Sequence, residues 1–247
     1  MRTLRLTIQY DGTHYVGWQR QAEGTSLQAL IEDALAPIEG RAVTIQGAGR
    51  TDAGVHALGQ VASVRLGASL DAPTLGRALN AVLPDEVRVI AVEEADDDFH
   101  ARFAATGKIY EYRIVNAAFV SPFLFRYAWH VPQPLDVGAM RAAAEALVGT
   151  HDFAAFQGSG SVVHSTERTI EALEWEDARQ FDRPLVVRLS GDGFLRYMVR
   201  NVVGTLVEVG LGRWPQARVR EIVESRSRSC AGPTAPPQGL FLVKVRY

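Results

Sequence analysis

The segment 49–57 gathers the residue types most capable of chemistry. It reads GRTDAGVHA, so Arg50, Asp52 and His56 lie within seven residues, between glycines that permit tight turns. A cationic neighbour such as Arg50 would keep the Asp52 carboxylate ionised, as a nucleophile or a general base requires. The simpler alternative is an aspartate that orders its own loop through hydrogen bonds to nearby backbone. Taken alone, the segment leaves both interpretations open.

Other segments carry aromatic and cationic side chains suited to nucleic acid. The segment 10–21, YDGTHYVGWQRQ, contains Trp18, Gln19 and Arg20, which could stack on a base and hold a phosphate. Trp18 is equally well explained as a core residue. Arg102 follows in FHARF and adds another candidate phosphate contact. These residues are candidate substrate contacts.

Two pairs in the second half of the chain extend this set. Tyr110 and Tyr112 alternate with Ile109 and Glu111, so both rings share one face of a predicted strand. One ring could stack under a flipped base, although ordinary core aromatics fit as well.

Two arginines in the predicted long helix form the other pair. Arg196 and Arg200, spaced i and i+4 on its polar side, could point at one anion. The alternative is that both are ordinary arginines on a solvated helix surface, with no ligand.

Composition narrows the class of protein. The chain has 247 residues, a net charge of −2 and no apolar run near the roughly 18 residues that a membrane helix needs. One cysteine and no HExxH-type histidine spacing give a metal site no support. All basic residues except Lys108 and Lys244 are arginines, which suit phosphate and base contacts, although codon bias would explain this equally. The N-terminus lacks the apolar region of a secretory signal, so we expect a cytoplasmic protein.

Apolar periodicity predicts the elements of the first half. Strands are expected at 4–10, 41–46, 59–66 and 86–92, and helices at 27–40 and 74–83. The helix at 27 follows a Thr25–Gln28 capping-box spacing. Asp52 therefore lies in a loop between two strands. The acidic run 93–98 is expected to be a solvated loop.

The second half repeats this mixture of strands and helices in a loosely similar order. Strands are expected at 109–115, 169–175, 185–190 and 240–245. Helices are expected at 135–148, at 214–224 and along an apolar stripe from Leu195 to Val207.

This order of elements predicts an α+β fold rather than a doubly wound sheet. We expect two similar halves with mixed or antiparallel sheets, of ferredoxin or RRM-like type. They would pack side by side, with helices on the outer face and an active-site cleft between them. The predicted halves are residues 1–104, with the aspartate loop, and 105–247, with Tyr110 and Arg200.

Together these segments resemble the tRNA pseudouridine synthase A family, also called tRNA pseudouridine synthase I or tRNA-uridine isomerase. The similarity runs nearly end to end in the family's order. It comprises YDGTHYVGWQRQ, GRTDAGVHALGQV, FHARF, KIYEY, GTHDFAAFQG, RYMVRNVVGTL and AGPTAPPQGLFLVKVRY. GRTDAGVHA is the most specific of these motifs.

The resemblance implies an isomerase that converts uridine to pseudouridine at positions 38, 39 and 40, in the anticodon stem-loop of tRNA. The N-glycosidic bond would break, the uracil would rotate, and C5 would join the ribose C1′. Asp52 matches the essential aspartate, Tyr110 the active-site tyrosine, and Arg50 and Arg200 active-site arginines. Arg196 departs from the family, which often has histidine there. The resemblance further implies no cofactor, no metal, and a homodimer in which one tRNA contacts both subunits.

Two other classes remain as alternatives. A non-catalytic RNA-binding module also carries aromatics and arginines on a sheet, although neither half has the RRM strand motif. A nucleoside hydrolase or glycosidase would generally bring a second carboxylate or a metal-binding cluster, and the acidic run 93–98 lies away from Asp52.

Overall fold

The computed structural model of the chain describes residues 1–160 and 163–247, and their side chains except those of 178–180. The chain folds as two units. Unit 1 is Met1–Thr106 with Phe241–Tyr247, and unit 2 is Gly107–Leu240. Both mix strands and helices, so the predicted α+β class is confirmed. The sequence-based boundary places residues 241–247 in the second half, whereas they belong to unit 1.

Unit 1 is a mainly antiparallel sheet with two helices. Its strand order is β4-β1-β3-β10, and β2 pairs with β3. β10 runs parallel to β3, with Phe241 opposite His56, and this pairing explains why the last strand joins unit 1. The elements are β1 (Arg2–Tyr10), α1 (Leu27–Glu39), β2 (Gln46–Gly47), β3 (His56–Leu66), α2 (Ala72–Val82), β4 (Val87–Ala95) and β10 (Leu240–Arg246).

Alternation and capping explain the main elements of unit 1. Leu4, Leu6 and Ile8 of β1 are fully buried, as the period of two predicts. Helix α1 begins after Ser26, whose hydroxyl accepts a hydrogen bond from Ala29 N at 3.2 Å. The cap is therefore Ser26 and not the predicted Thr25. The helix ends at Gly40 in the left-handed conformation, as expected.

The predicted strand at 41–46 is wrong, because only Gln46–Gly47 pairs with β3. The backbone of Ile45 is instead satisfied by buried side chains of α1. Ile45 N donates to Glu32 Oε1 at 3.0 Å, and Ile45 O accepts from Gln28 Nε2 at 3.3 Å. These two bonds satisfy the backbone N–H and C=O groups that a neighbouring strand would otherwise pair with.

The acidic run is only partly a loop. Glu93 and Glu94 belong to β4, where they pair across the sheet with Arg5 at 2.8 Å and Arg2 at 2.5 Å. Opposite charges on neighbouring strands favour this placement. The remaining acidic residues, 96–98, follow the strand, as expected.

The strands of unit 2 follow the order β5-β9-β8-β7 and pair antiparallel, while β6 pairs parallel to β5. Three helices accompany it. The elements are β5 (Gly107–Val115), β6 (Trp129–His130), α3 (Val137–Ala144), β7 (Gly149–Asp152), β8 (Glu167–Gln180), β9 (Arg183–Gly191), α4 (Met198–Gly210) and α5 (Arg218–Ser225). Among the described residues, no helix combines the length and apolar character needed to cross a membrane.

All three predicted helices of this half begin too early. Asp136 caps α3 through Ala139 N at 2.9 Å, and the last predicted turn becomes a 3-10 helix at Glu145–Leu147. Helix α4 cannot begin before Met198 because Tyr197 is left-handed. Helix α5 begins at Arg218, after a turn in which Arg218 N donates to Pro215 O at 3.0 Å.

Candidate active site

The predicted catalytic loop lies between β2 and β3, and Asp52 is half-buried within it. Its backbone forms a tight turn in which Val55 N donates to Asp52 O at 3.1 Å. Gly54, with a φ of +75°, supplies the left-handed conformation that this turn uses. The glycine spacing noted in the sequence thus shapes the turn that carries the carboxylate.

The segment after β1 fixes this loop from one side. Trp18 N donates to Thr51 O at 3.0 Å, and the hydroxyls of Tyr10 and Thr51 are 2.8 Å apart. A Cβ on Gly17 would lie 2.6 Å from Thr51 O, so the two backbones touch directly. Burial raises the pKa of the Tyr10 phenol well above its ordinary value, which keeps it a neutral hydrogen-bonding group. Asp52 is therefore held by residues remote in sequence.

Strand β3 fixes the loop from the other side. Gln60 Nε2 donates to Gly49 O at 2.8 Å. His56 is buried, and its ring stacks on Phe241 with centroids 4.7 Å apart. Its Nδ1 lies 3.1 Å from Gly12 N and 3.1 Å from Asp11 Oδ1, so it accepts from the amide when neutral. These contacts agree with a role for Thr51 and His56 in loop geometry.

The predicted contact residues of unit 1 differ in their exposure. Arg50 is exposed beside Asp52, and Gln19 is half-buried. Arg20 is exposed and pairs with Glu32 at 2.9 Å and Asp33 at 3.2 Å. These positions leave Arg50 accessible, whereas Arg20 is already engaged in ion pairs with α1.

Trp18 and Arg102 complete the set in unit 1. Trp18 is only 2% exposed and its ring packs by Gly47, which supports the core interpretation left open by the sequence. A contact between Trp18 and the substrate stays a prediction. Arg102 is exposed, with its guanidinium 5.6 Å from the centroid of the exposed Phe103 ring.

In unit 2, Tyr110 and Tyr112 lie on one face of β5, as predicted. Tyr110 is 7% exposed and meets Phe194 edge to face, with ring centroids 5.1 Å apart. Tyr112 is fully buried, and its hydroxyl donates to Pro236 O at 2.7 Å. Burial raises the pKa of Tyr112 well above its ordinary value. Of the two tyrosines, Tyr110 retains some access to solvent.

Arg200 lies in the first turn of α4, but Arg196 precedes the helix, so the predicted i and i+4 pairing on one helix face is wrong. Both guanidinium groups nevertheless lie near one ring. Their central carbons lie 4.8 Å and 4.9 Å from the centroid of the same ring, Tyr197. Tyr197 was not among the residues predicted from the sequence, because neither its type nor its neighbours indicate a left-handed residue.

No group of three or more His, Cys, Asp and Glu side chains is arranged to hold a metal ion within residues 1–160 and 163–247. The groups present for chemistry are the half-buried Asp52 carboxylate in unit 1 and, in unit 2, Tyr110 and the two arginines Arg196 and Arg200. Such groups suit proton transfer, nucleophilic attack and phosphate contact.

Comparison with known proteins identifies the family. The family model described as "tRNA pseudouridine synthase" matches residues 6–104 and 143–247. Three proteins named tRNA pseudouridine synthase A are similar over the whole chain. That of Thermoanaerobacter sp. (strain X514) is 43% identical and that of Geobacter sulfurreducens 45% identical, each with 100% of both chains covered. That of Streptococcus pneumoniae (strain P1031) is 42% identical, with 100% of this chain and 99% of the relative covered.

Solved structures are less similar. A chain of the crystal structure of a Cbf5-Nop10-Gar1 complex is 15% identical, covers 83% of this chain and 45% of that chain, and gives a TM-score of 0.37. The sequence relatives and the family model are decisive: the chain belongs to the tRNA pseudouridine synthase family. It is therefore an isomerase that converts uridine in tRNA to pseudouridine.

Proposed function

We propose that the enzyme isomerises uridines 38, 39 and 40 in the anticodon stem-loop of tRNA, with Asp52 as the essential catalytic group. The observation that carries this proposal is the Asp52 loop itself, whose backbone is fixed by Gly17, Trp18 and Gln60. A carboxylate on a rigid turn is preorganised for attack on a substrate that must itself be extruded from a helix.

The chemistry is balanced without any co-reactant. The N1–C1′ bond breaks, the uracil rotates, C5 bonds to C1′, and the C5 proton is lost while N1 gains one. Asp52 would attack C1′, add to the uracil ring, or deprotonate C2′ to give a glycal. All three routes require an ionised carboxylate, which a cationic neighbour favours. No cofactor or metal enters this scheme.

The other site residues have supporting roles in the proposal. Tyr110 would stack on the target uracil and relay a proton when C5 is neutralised. Arg50 and Arg200 would orient Asp52 and bind the phosphates that flank the extruded nucleotide. Gln19, Arg20, Arg102 and Arg196 would contact RNA outside the reacting base. The exposure of Arg50, Arg102 and Arg196 supports these assignments.

A direct test uses unmodified tRNA with uridine in the anticodon stem and assays both pseudouridine and free uracil. We expect pseudouridine without uracil from the wild type. Asp52→Asn should abolish the product while tRNA binding persists. Asp98→Asn, the same change at an exposed aspartate outside the loop, is the matched control and should retain full activity.

Three other results of this assay would contradict the proposal. Release of uracil would indicate a glycosidase. Binding without chemistry by the wild type would indicate an RNA-binding module. Normal turnover by Asp52→Asn would remove Asp52 from the mechanism.

We further propose a cytoplasmic homodimer in which one tRNA contacts both subunits. An apolar surface of unit 2 supports the dimer: Phe119, Phe123, Phe125 and Phe181 have exposures of 62%, 85%, 50% and 48%. The rings of Phe119 and Phe181 pack against each other, and Ser121 N donates to Phe181 O. Exposed apolar patches of this kind mark association surfaces. Sedimentation with and without tRNA distinguishes a dimer from a monomer.

A further inference from the structure

A segment that follows helix α5 lies along helix α4 without regular secondary structure of its own. It comprises residues 231–236, AGPTAP, and is called the strap. A Cβ on Gly204 of α4 would collide with Pro233 O of the strap. In the same way, a Cβ on Gly232 of the strap would lie 2.7 Å from Thr205 Cα. The absence of side chains at these two positions brings the two backbones into direct contact.

Two consecutive residues of the strap hold two consecutive residues of α4. Ala235 N donates to Arg200 O at 3.1 Å, and Arg200 Nε donates back to Ala235 O at 2.7 Å. Beside them, Thr234 Oγ1 donates to Asn201 Oδ1 at 2.6 Å. Because a guanidinium group is planar and rigid, a bond that fixes its Nε–H also restrains the direction of its other nitrogens. Ala235 therefore restrains the direction in which Arg200 points.

The hydroxyl of Thr234 is bonded to a side chain that is itself fixed. Asn201 is fully buried, and its Nδ2 donates to Phe156 O at 2.7 Å. Its Oδ1 accepts a second hydrogen bond from Arg228 Nη2 at 3.1 Å. With a carbonyl on one side of the amide and two donors on the other, only one orientation of Asn201 satisfies the network. Asn201 is thus a rigid attachment point for the strap.

Arg228 and Thr205 hold the strap upstream of Ala235. Arg228 Nη1 donates to Gly232 O at 3.0 Å and to Ala231 O at 3.3 Å. Its Nη2 donates to Thr234 Oγ1 at 3.1 Å. The buried Thr205 hydroxyl accepts from Gly232 N at 2.9 Å. The hydroxyl of Thr234 is where this network reaches the residue beside Arg200.

We propose that Thr234 is a positioning residue, which acts through Asn201 and the strap to hold the Arg200 guanidinium in the orientation used in the reaction. The proposal rests on the proposed function, which assigns Arg200 to the catalytic groups. Without the Thr234 hydroxyl the strap loses its direct bond to the residue beside Arg200, so Arg200 would adopt more orientations. A less preorganised group slows the chemical step more than it weakens ground-state binding.

The first test follows the Nε–H of Arg200 by NMR. Its signal in isotope-labelled protein is assigned by its loss in Arg200→Lys, and its exchange with solvent reports how firmly Ala235 O holds it. Thr234→Val removes the hydroxyl at nearly constant volume and should accelerate this exchange by about fivefold or more. Thr234→Ser keeps the hydroxyl and should restore slow exchange. Thr74→Val, which removes a hydroxyl bonded to Arg77, is the matched control and should leave the exchange unchanged.

The second test measures single-turnover formation of pseudouridine at saturating enzyme. Thr234→Val should lower the rate by about threefold to tenfold, while the enzyme concentration at half-saturation stays near that of the wild type. Thr234→Ser should recover the rate. In an Arg200→Lys background, which keeps the charge, Thr234→Val should cause no further fall, because changes that act through the same group are not additive.

Thermal unfolding separates this role from a purely structural one. A lower melting temperature for Thr234→Val, with wild-type exchange and a wild-type rate, would overturn the proposal. Equal falls in rate in both backgrounds would overturn it too. If Thr234→Val does not fold, Arg228→Gln loosens the same strap, and unchanged Arg200 exchange in that variant would be decisive against the proposal. A wild-type rate in Arg200→Lys would instead contradict the role of Arg200 in the proposed function, and the exchange data would still show whether Thr234 orients Arg200.

Discussion

At the scale of single residues, the site depends on backbone contacts that residue types alone do not reveal. GRTDAGVHA identified Asp52 because the motif combines a carboxylate with turn-forming glycines. The sequence did not show that Gly17 lies against Thr51, or that Trp18 is buried, because both follow from a long-range approach of two loops. Tyr197 was not predicted for a related reason, since its ring packs against Gly158, which is distant in sequence.

Gly17→Ala tests the contact between these two loops. Gly17 has a φ of +104°, and the added methyl would lie 2.6 Å from Thr51 O and 3.1 Å from the Asp52 carbonyl carbon. We expect a loss of about 1–3 kcal/mol in stability and a fall in kcat of at least tenfold, because the Asp52 turn must shift. Chemical denaturation and single-turnover assays measure the two effects.

Gly40→Ala is the matched control for backbone strain. Gly40 also has a positive φ, of 75°, but no atom lies within 4 Å of an added Cβ. The Gly40→Ala variant should be less stable than the wild type and should keep the wild-type kcat. Equal kcat values in both variants would show that Gly17 does not support the catalytic turn.

At the scale of elements, periodicity predicted the centres of strands and helices and missed their ends. The apolar stripe from Leu195 continues upstream of α4, but the helix begins only after the left-handed Tyr197, whose carbonyl accepts from Asn201 N at 2.9 Å. Residues 41–45 alternate like a strand, yet side chains of α1 satisfy the Ile45 backbone. Helix and strand ends depend on such tertiary partners, which a local pattern does not contain.

Strand β5 supports a prediction about pH. Glu111 is buried and accepts from Arg113 Nε at 2.8 Å and from Arg188 Nη2 at 2.8 Å. Burial alone would raise the pKa of Glu111, but the hydrogen bonds from Arg188 and Arg113 outweigh it and lower that pKa. Its contribution to stability is therefore present above the unfolded pKa of about 4.3 and is lost as the pH falls through the lower folded value.

Glu111→Gln should thus destabilise the protein by about 1.5–3 kcal/mol at pH 7. The difference in the free energy of unfolding between the variant and the wild type should narrow as the pH falls below about 4. Urea unfolding across a pH series measures both. Glu221→Gln, at an exposed partner of Arg218, is the control and should have a much smaller effect. A difference that does not depend on pH would show that lost packing, and not charge, is responsible.

At the scale of the whole molecule, the division of the chain differs from the simple bisection that the sequence suggested. Periodicity identified β10 as a strand but gave no partner for it. Parallel strands are not joined by a short turn, so no turn residues in the sequence indicate which strand β10 pairs with. In the structure β10 pairs with β3, and the terminal Tyr247 hydroxyl donates to Ala101 O at 2.8 Å. Unit 1 is thus built from both ends of the described chain.

Leu242→Pro should loosen unit 1. Leu242 is fully buried opposite Ala57, and proline in its place removes both a backbone donor and a packed side chain. We expect a loss of about 2–5 kcal/mol from the missing packing alone. Hydrogen exchange should accelerate in β1 and β3 well before β8 and β9. Leu242→Val, which keeps the donor, is the control and should exchange nearly as the wild type does. Equal acceleration in the strands of both units would contradict a separate contribution of β10 to unit 1.

The placement of β10 also sets an order of events during synthesis. The ribosome makes β1, α1, β3 and β4 first, then all of unit 2, and only afterwards the strand that completes the first sheet. Domains generally fold as they emerge, starting from the N-terminus. Here the nascent chain must carry the Asp52 loop on an unfinished sheet while unit 2 is translated. The loop acquires its full support only after β10 has been made, so chains that stop before β10 lack the finished catalytic scaffold.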